Sequence, residues 1–118
     1  MSKVAIVVLS DTDTHEDLGR VVNALEAGKE FKDAHDDVRL IFDGAGSKWI
    51  PELEKPDHKL HGLYVAVKDR ISGACEFSAV AFGVKDKVVA CGVKLTEECD
   101  GHSSFKKLIA HDYQVITF

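Results

Sequence analysis

The seven residues Lys3-Val4-Ala5-Ile6-Val7-Val8-Leu9 are continuously apolar after the lysine and rich in β-branched side chains. A strand with one face in water alternates between apolar and polar. A strand without alternation is buried on both faces, which is how strands of a mostly parallel sheet covered by helices read. This stretch decides the fold class, and its surroundings supply the layers.

Working outward, the strand ends in the polar loop Ser10-Asp11-Thr12-Asp13-Thr14. Thr14 and Asp17 have capping spacing, and Glu16 and Asp17 suit the positive end of a helix dipole. Leu18, Val21, Val22 and Leu25 then recur at helical spacing, predicting a helix from His15 to Phe31 with Gly28 as a weak point. Asp36-Asp37 reads as a turn, Val38 to Phe42 as a second strand, and Asp43-Gly44-Ala45-Gly46 as the loop at its end. Ser47 can cap a short helix through Trp49, with Pro51 in its first turns. Leu60, Leu63, Tyr64, Val67 and Ile71 predict a second full helix over His58 to Arg70.

Ser72 to Cys75 is a short third strand by position. Glu76 to Phe82 is a helical turn or two with an almost wholly apolar surface. Lys85 to Cys91 reads as a helix stopped by Gly92, leaving Val93-Lys94-Leu95 as a fourth strand. After the loop Cys99-Asp100-Gly101-His102, Ser103 or Ser104 can cap a helix with Phe105, Leu108 and Ile109 on its buried face. Tyr113 to Phe118 forms a last strand. Alternating strands and helices with right-handed crossovers predict one domain over residues 1–118: a three-layer α/β/α sandwich on a five-stranded, mostly parallel sheet. The flavodoxin-like order 2-1-3-4-5 is the natural choice. It sets a site beyond the carboxyl ends of the strands, between the first and the third. Asp11, Thr12 and His15, then Cys75, then Trp49 and His102 fall on that edge.

Composition narrows the function classes. The 118 residues are 45% hydrophobic and 30% charged, and fifteen basic against twenty acidic residues give a net charge of −5. A chain of this size buries about two-thirds of its unfolded surface, enough to need neither disulfide nor metal. The scattered basic residues and the negative charge argue against binding nucleic acid or an anionic membrane. No apolar run reaches the length that spans a bilayer. Met1-Ser2-Lys3 leads directly into the first strand without a cleavage site, and the three cysteines are an odd count; both predict reduced thiols in a cytoplasm.

Cys75 is the leading candidate for chemistry. A thiol at a helix start feels free backbone N–H groups and the dipole, which stabilise thiolate. Against this, Glu76 sets a carboxylate beside it, and the apolar setting is equally that of a core cysteine. Cys91, in Val88-Val89-Ala90-Cys91, reads as packing. Cys99 lies in the acidic run Glu97-Glu98-Cys99-Asp100. Either would resolve a Cys75 persulfide if it lay close in space. His15 and His102 are candidate proton shuttles for Cys75. His58 and His61 share a helix face but lack a third metal ligand at suitable spacing, so they read as a solvated helix start. Asp11 and Asp13 would repel phosphate in a loop where flavodoxins hold it, so no flavin, nucleotide or other cofactor is expected. Trp49 lines the Cys75 crevice, sits in a subunit interface, or is an ordinary partly buried tryptophan.

Val4 to Leu9, the strand end Ile41-Phe42-Asp43-Gly44, the Cys75 strand-to-helix junction and the closing Tyr113-Gln114-Val115-Ile116-Thr117-Phe118 together resemble the DsrE-like proteins, small α/β sandwiches related to YchN and the DsrEFH sulfur-relay proteins. The similarity runs over nearly the whole chain. It implies a cysteine at the end of the third strand, here Cys75, that carries sulfur as a persulfide between a sulfur-donor and a sulfur-acceptor protein. It also implies a homo-oligomer, commonly a trimer or hexamer. Some relatives carry a second cysteine three residues on; here that position is Ser78, so no local Cys-x-x-Cys disulfide forms. The expectation is a sulfur carrier with Cys75, His15 and His102 in the chemistry and Asp11, Thr12, Trp49 and Ser78 lining the pocket. The alternative is a non-catalytic, oligomeric ligand- or partner-binding module using the same crevice. A Cys75-histidine dyad in a hydrolase or transferase is a third reading. Val80, Phe82 and Val84 are too apolar for one short segment to bury alone, which predicts an oligomer.

Overall fold

The structure, a computed structural model, describes residues 1–118. β1 (Lys3–Val8) leads into α1 (His15–Asp33) and β2 (Asp37–Phe42). A 3-10 turn (Gly44–Lys48), α2 (Trp49–Glu54) and α3 (His61–Val67) lead to β3 (Ile71–Cys75). Next come α4 (Glu76–Ala81), α5 (Lys85–Ala90), β4 (Leu95–Thr96), α6 (Phe105–Ala110) and β5 (Gln114–Thr117). The five strands form one parallel sheet flanked by helices, a three-layer α/β/α sandwich as the sequence predicts.

The strand order differs from the expected 2-1-3-4-5: it is β4-β3-β2-β1-β5. The reason lies in β2. Leu40, Ile41 and Phe42 are consecutive and all buried, so both faces of that strand need cover. Such a strand belongs inside a sheet, between β1 and β3. The two-residue β4 and the largely exposed β5 take the edges, where short or polar strands are tolerated. The order therefore reverses between β1 and β5, not between β1 and β3.

The two faces are unequally covered. On one, alternate residues of β1 and β2 (Val4, Ile6, Val8, Val38, Leu40, Phe42) pack with α1, α2, α3 and α5 in a core of 17 buried residues. On the other, Ala5, Val7 and Ile41 cluster with Leu108 of α6 and Tyr113, and the half-buried Val115 packs against them. The Phe105 and Ile109 side chains of α6, expected inside, are exposed, and Leu108 alone is buried. A helix of six residues over a thin layer turns one side chain inward, not three.

Local signals explain the element ends. Thr14 and Asp17 form a reciprocal capping box, each side chain accepting the other's backbone N–H. Gly28 does not stop α1; it lets the helix lie close on Leu40, whose Cδ1 would be 3.1 Å from an added Cβ. The expected helix over His58 to Arg70 is shorter, with α3 followed by a 3-10 turn over Lys68–Arg70. Gly92, at φ +78°, follows α5 as expected.

Candidate functional site

The strand order splits the expected crevice in two, because β2 separates the ends of β1 and β3. At the end of β3, Cys75 is the residue before α4 and is 0% exposed. Its cover is the segment that follows β4. The Cys75 thiol donates to the Gly101 carbonyl oxygen at 3.9 Å, and its Sγ lies 3.8 Å from His102 Nδ1. The Phe77 backbone N–H donates to Gly101 O at 2.9 Å, and the Phe77 ring stacks on His102 with centroids 4.3 Å apart.

The tip of that segment has a definite shape. Asp100 and Gly101 both have positive φ, +49° and +83°. Cys99 and His102 on either side exchange two backbone hydrogen bonds, of 2.9 and 2.7 Å. Two successive left-handed residues inside such a pair make the tight turn that Asp-Gly favours. His102 thus sits at a fixed corner of a small hairpin, aimed at Cys75.

Charge is arranged around Cys75 as well. Lys85 Nζ is 3.2 Å from the Glu76 carboxylate. The neighbouring Glu97 carboxyl, then Lys85, hold Glu76 below the usual carboxylate range. The same contact and the Glu76 charge push Glu97 above it. The carboxylate beside Cys75 is therefore matched by a cation and a neighbouring acid. On the other side, Ser78 Oγ donates to Asp43 Oδ1 at 3.1 Å and accepts the Gly44 N–H at 2.9 Å. Ser78 is buried and ties α4 to the end of β2.

The remaining predicted residues gather at the end of β1. Asp11 pairs with Lys48 at 2.6 Å, and that hydrogen bond holds its carboxyl below the usual range. Trp49 is buried and donates from Nε1 to the carbonyl oxygens of Ser10 and Asp11, so it does not line a Cys75 crevice. His15 opens α1 and, with Thr12, Trp49, Glu52 and His58, lines an open groove of about 450 Å³. His58 meets the Trp49 ring edge-on at 6.1 Å. Of the two candidate histidines, the structure brings His102 to Cys75 and places His15 in this separate groove. His58 and His61 are held by different backbone groups, the Leu60 N–H and the Leu53 carbonyl.

The other thiols differ in setting. Cys91 is half-buried beside Lys68, which donates to its carbonyl, and burial, then the Glu54 charge, push its thiol up. Cys99 is exposed at the hairpin turn. Glu97, Lys85, Phe77 and Asp43 were not singled out from the sequence. The Asp100-Gly101 pair was a readable signal, since Asp-Gly between flanking residues marks a tight turn.

No family model matches the chain. Its sequence is 29% identical over 115 residues to an uncharacterized protein of Methanocaldococcus jannaschii, covering 97% of this chain and 93% of that one. In three dimensions it resembles a conserved protein of unknown function from Bacteroides thetaiotaomicron, with a TM-score of 0.64 at 13% identity over 97% of this chain and 94% of that one. The chain therefore shares its fold, over almost its full length, with a bacterial protein of unknown function.

Proposed function

We propose that the protein is a DsrE-like sulfur carrier that holds sulfur as a persulfide on Cys75. The observation that carries this reading is the Cys75 Sγ to His102 Nδ1 distance of 3.8 Å at the carboxyl end of a parallel strand. In open α/β sheets ligands bind beyond the carboxyl ends of the strands, and Cys75 ends an inner strand away from the β1/β5 reversal. With its proton on Nε2, His102 accepts the Cys75 proton at Nδ1. The thiolate then attacks the outer sulfur of a donor persulfide. A new S–S bond forms on Cys75, the donor S–S bond breaks, and its electron pair leaves with the donor thiolate, which takes up a proton. Delivery to an acceptor thiol is the same exchange in reverse roles. The protein acts as a carrier between donor and acceptor proteins, not as a multi-turnover enzyme with its own small substrate.

Cys75 is closed off in the resting fold, so the 97–104 segment has to swing aside for a donor to reach it. That segment suits the motion. From Glu97 to Ser103 its one backbone-to-backbone hydrogen bond to the rest of the chain is Phe77 N–H to Gly101 O, and its other ties are side-chain contacts from Cys75, Phe77 and Thr96. A reducing cytoplasm suits the three free cysteines. The exposed Phe77, Val80 and Phe82 of the α4 region suit a homo-oligomer, a trimer or hexamer by the family resemblance.

The groove lined by Thr12, His15, Trp49 and His58 favours a second reading, a non-catalytic module that binds a small ligand or a partner's tail away from Cys75. Cyanolysis separates the two. After exposure to a persulfide donor and removal of the excess, a Cys91→Ser, Cys99→Ser protein treated with cyanide should yield thiocyanate equal to its Cys75 content. Adding Cys75→Ser should abolish the yield. No thiocyanate from the Cys75-only protein leaves the binding-module reading.

A further inference from the structure

The hairpin over Cys75 carries a second thiol, Cys99. Cys99 and His102 face each other across the turn and exchange both backbone hydrogen bonds. Residues paired in this way have Cα atoms about 5.5 Å apart and project their side chains from the same face. The His102 side chain reaches to 3.8 Å from Cys75 Sγ. The Cys99 side chain therefore leaves the hairpin on the face that carries His102 to Cys75.

Cys99 is exposed and free, and its only ordered tether to the body of the protein runs through the hairpin itself. A disulfide needs Cα atoms roughly 4.4–6.8 Å apart, so the hairpin has to slide by about the spacing of one cross-strand pair to bring Cys99 where His102 stands. The slide breaks the Phe77 N–H to Gly101 bond, the Phe77–His102 ring contact and the long Cys75 thiol to Gly101 contact, and the Lys107–Glu98 ion pair nearby is solvent-exposed. Cys91 lies at the end of α5, off the hairpin, with its carbonyl held by Lys68.

We propose that Cys99 is the resolving thiol for a persulfide on Cys75. The Cys99 thiolate attacks the inner sulfur, the one bonded to the Cys75 side chain. A Cys75–Cys99 disulfide forms, the persulfide S–S bond breaks, and its electron pair leaves on the outer sulfur as hydrosulfide, which takes up the proton that Cys99 gave up. The outer sulfur is reduced to sulfide, the Cys99 sulfur is oxidised, and the Cys75 sulfur stays at the disulfide level. A cellular dithiol or monothiol reductant restores both thiols. Without an acceptor, the carrier discharges as sulfide and locks its own hairpin.

This step rests on Cys75 carrying persulfide, and the test keeps the two apart. Trypsin leaves the three cysteines on separate peptides, residues 71–85, 88–94 and 95–106. Native protein and Cys99→Ser are loaded with inorganic polysulfide, desalted, and followed for sulfide release and for non-reduced peptide masses. Native protein should release sulfide and join peptide 71–85 to peptide 95–106. Cys99→Ser should lose the release and keep one extra sulfur on peptide 71–85. Persulfide retained equally by both proteins overturns the resolving step and leaves the carrier intact. No loading of Cys99→Ser overturns both. Proximity is tested without sulfur by oxidising unloaded native protein with diamide: a 71–85 to 95–106 link is expected, and no link, or a link to peptide 88–94, overturns the inference.

Discussion

Gly46 shows how a single position can carry more than its sequence context suggests. A Cβ built there would fall on the Val8 carbonyl, so the turn after β2 can lie against the end of β1 only if that residue has no side chain. Gly46→Ala must push the 3-10 turn off β1 and should cost about 3 kcal/mol, read as a lower urea midpoint at unchanged slope. Within the sequence, Gly46 is one glycine of a bland Asp-Gly-Ala-Gly turn, and nothing in its neighbours announces a close approach. Cys75 was legible because an apolar strand passes into an apolar helix there. His102 was legible only as a residue on the right edge; its approach to Cys75 depends on the Asp100-Gly101 turn. His15 stood on the same expected edge but belongs to another strand's end. If His102 moves the Cys75 proton, His102→Gln should slow sulfur uptake by about 100-fold and remove a limb from its pH profile. A change in melting temperature without that loss would assign it a packing role.

At the scale of elements, the helices were the most readable parts, because their caps are local. Thr14→Ala removes the hydroxyl half of the α1 capping box and should cost about 1 kcal/mol, seen as a drop in melting temperature. Strand neighbours were less readable. Hydrophobic runs say that a strand is buried on both faces, but not which strand lies beside it. The buried Leu40-Ile41-Phe42 run was the available sign that β2 is interior. The segment over Cys75 joins α4 through Glu76 and Glu97, and titration should expose that latch. Glu97 has its folded-state pKa raised, so its contribution is present below the unfolded value and is lost as pH rises through the folded one. Native protein should therefore lose some melting temperature on the alkaline side of the ordinary carboxylate range. Glu97→Gln, which keeps a hydrogen-bond donor to Glu76 without a second charge, should flatten that decline. An unchanged slope in the variant would remove the Glu76–Glu97 contact from the account.

At the scale of the molecule, the sheet is covered well on one face and thinly on the other. Parallel sheets usually have both faces buried. Here a depression of about 480 Å³ lies over the second face between Arg39, Ser72, Thr96 and Lys107. The α4 region adds Phe77 and Val80, 56% and 57% exposed. Val84, grouped with them in the sequence, instead packs against the main core. These surfaces support self-association, and light scattering at micromolar concentration should find more than one chain per particle, with Val80→Glu shifting it to monomer. A monomeric native protein would remove the oligomer from the account. Acid should weaken the whole fold. The Lys48 hydrogen bond holds Asp11 below its ordinary value, and Lys32 does the same for Asp69. At Glu54 burial acts upward, but hydrogen bonds from Lys68 and Tyr64 outweigh it. All three folded-state values are depressed, so their stabilisation is full above the unfolded carboxylate range and lost as pH falls through the folded values. The melting temperature should fall steadily below about pH 4.

The central claim is that Cys75 takes up sulfur from a persulfide donor in the folded protein. The direct measurement is the intact mass of the Cys91→Ser, Cys99→Ser protein, in which Cys75 is the remaining thiol, after brief exposure to a persulfide donor under native conditions. The account predicts a gain of one sulfur atom that a thiol reductant reverses and that Cys75→Ser abolishes. An unchanged mass in folded protein, with uptake appearing only after denaturation, would show Cys75 to be a core residue and contradict the account.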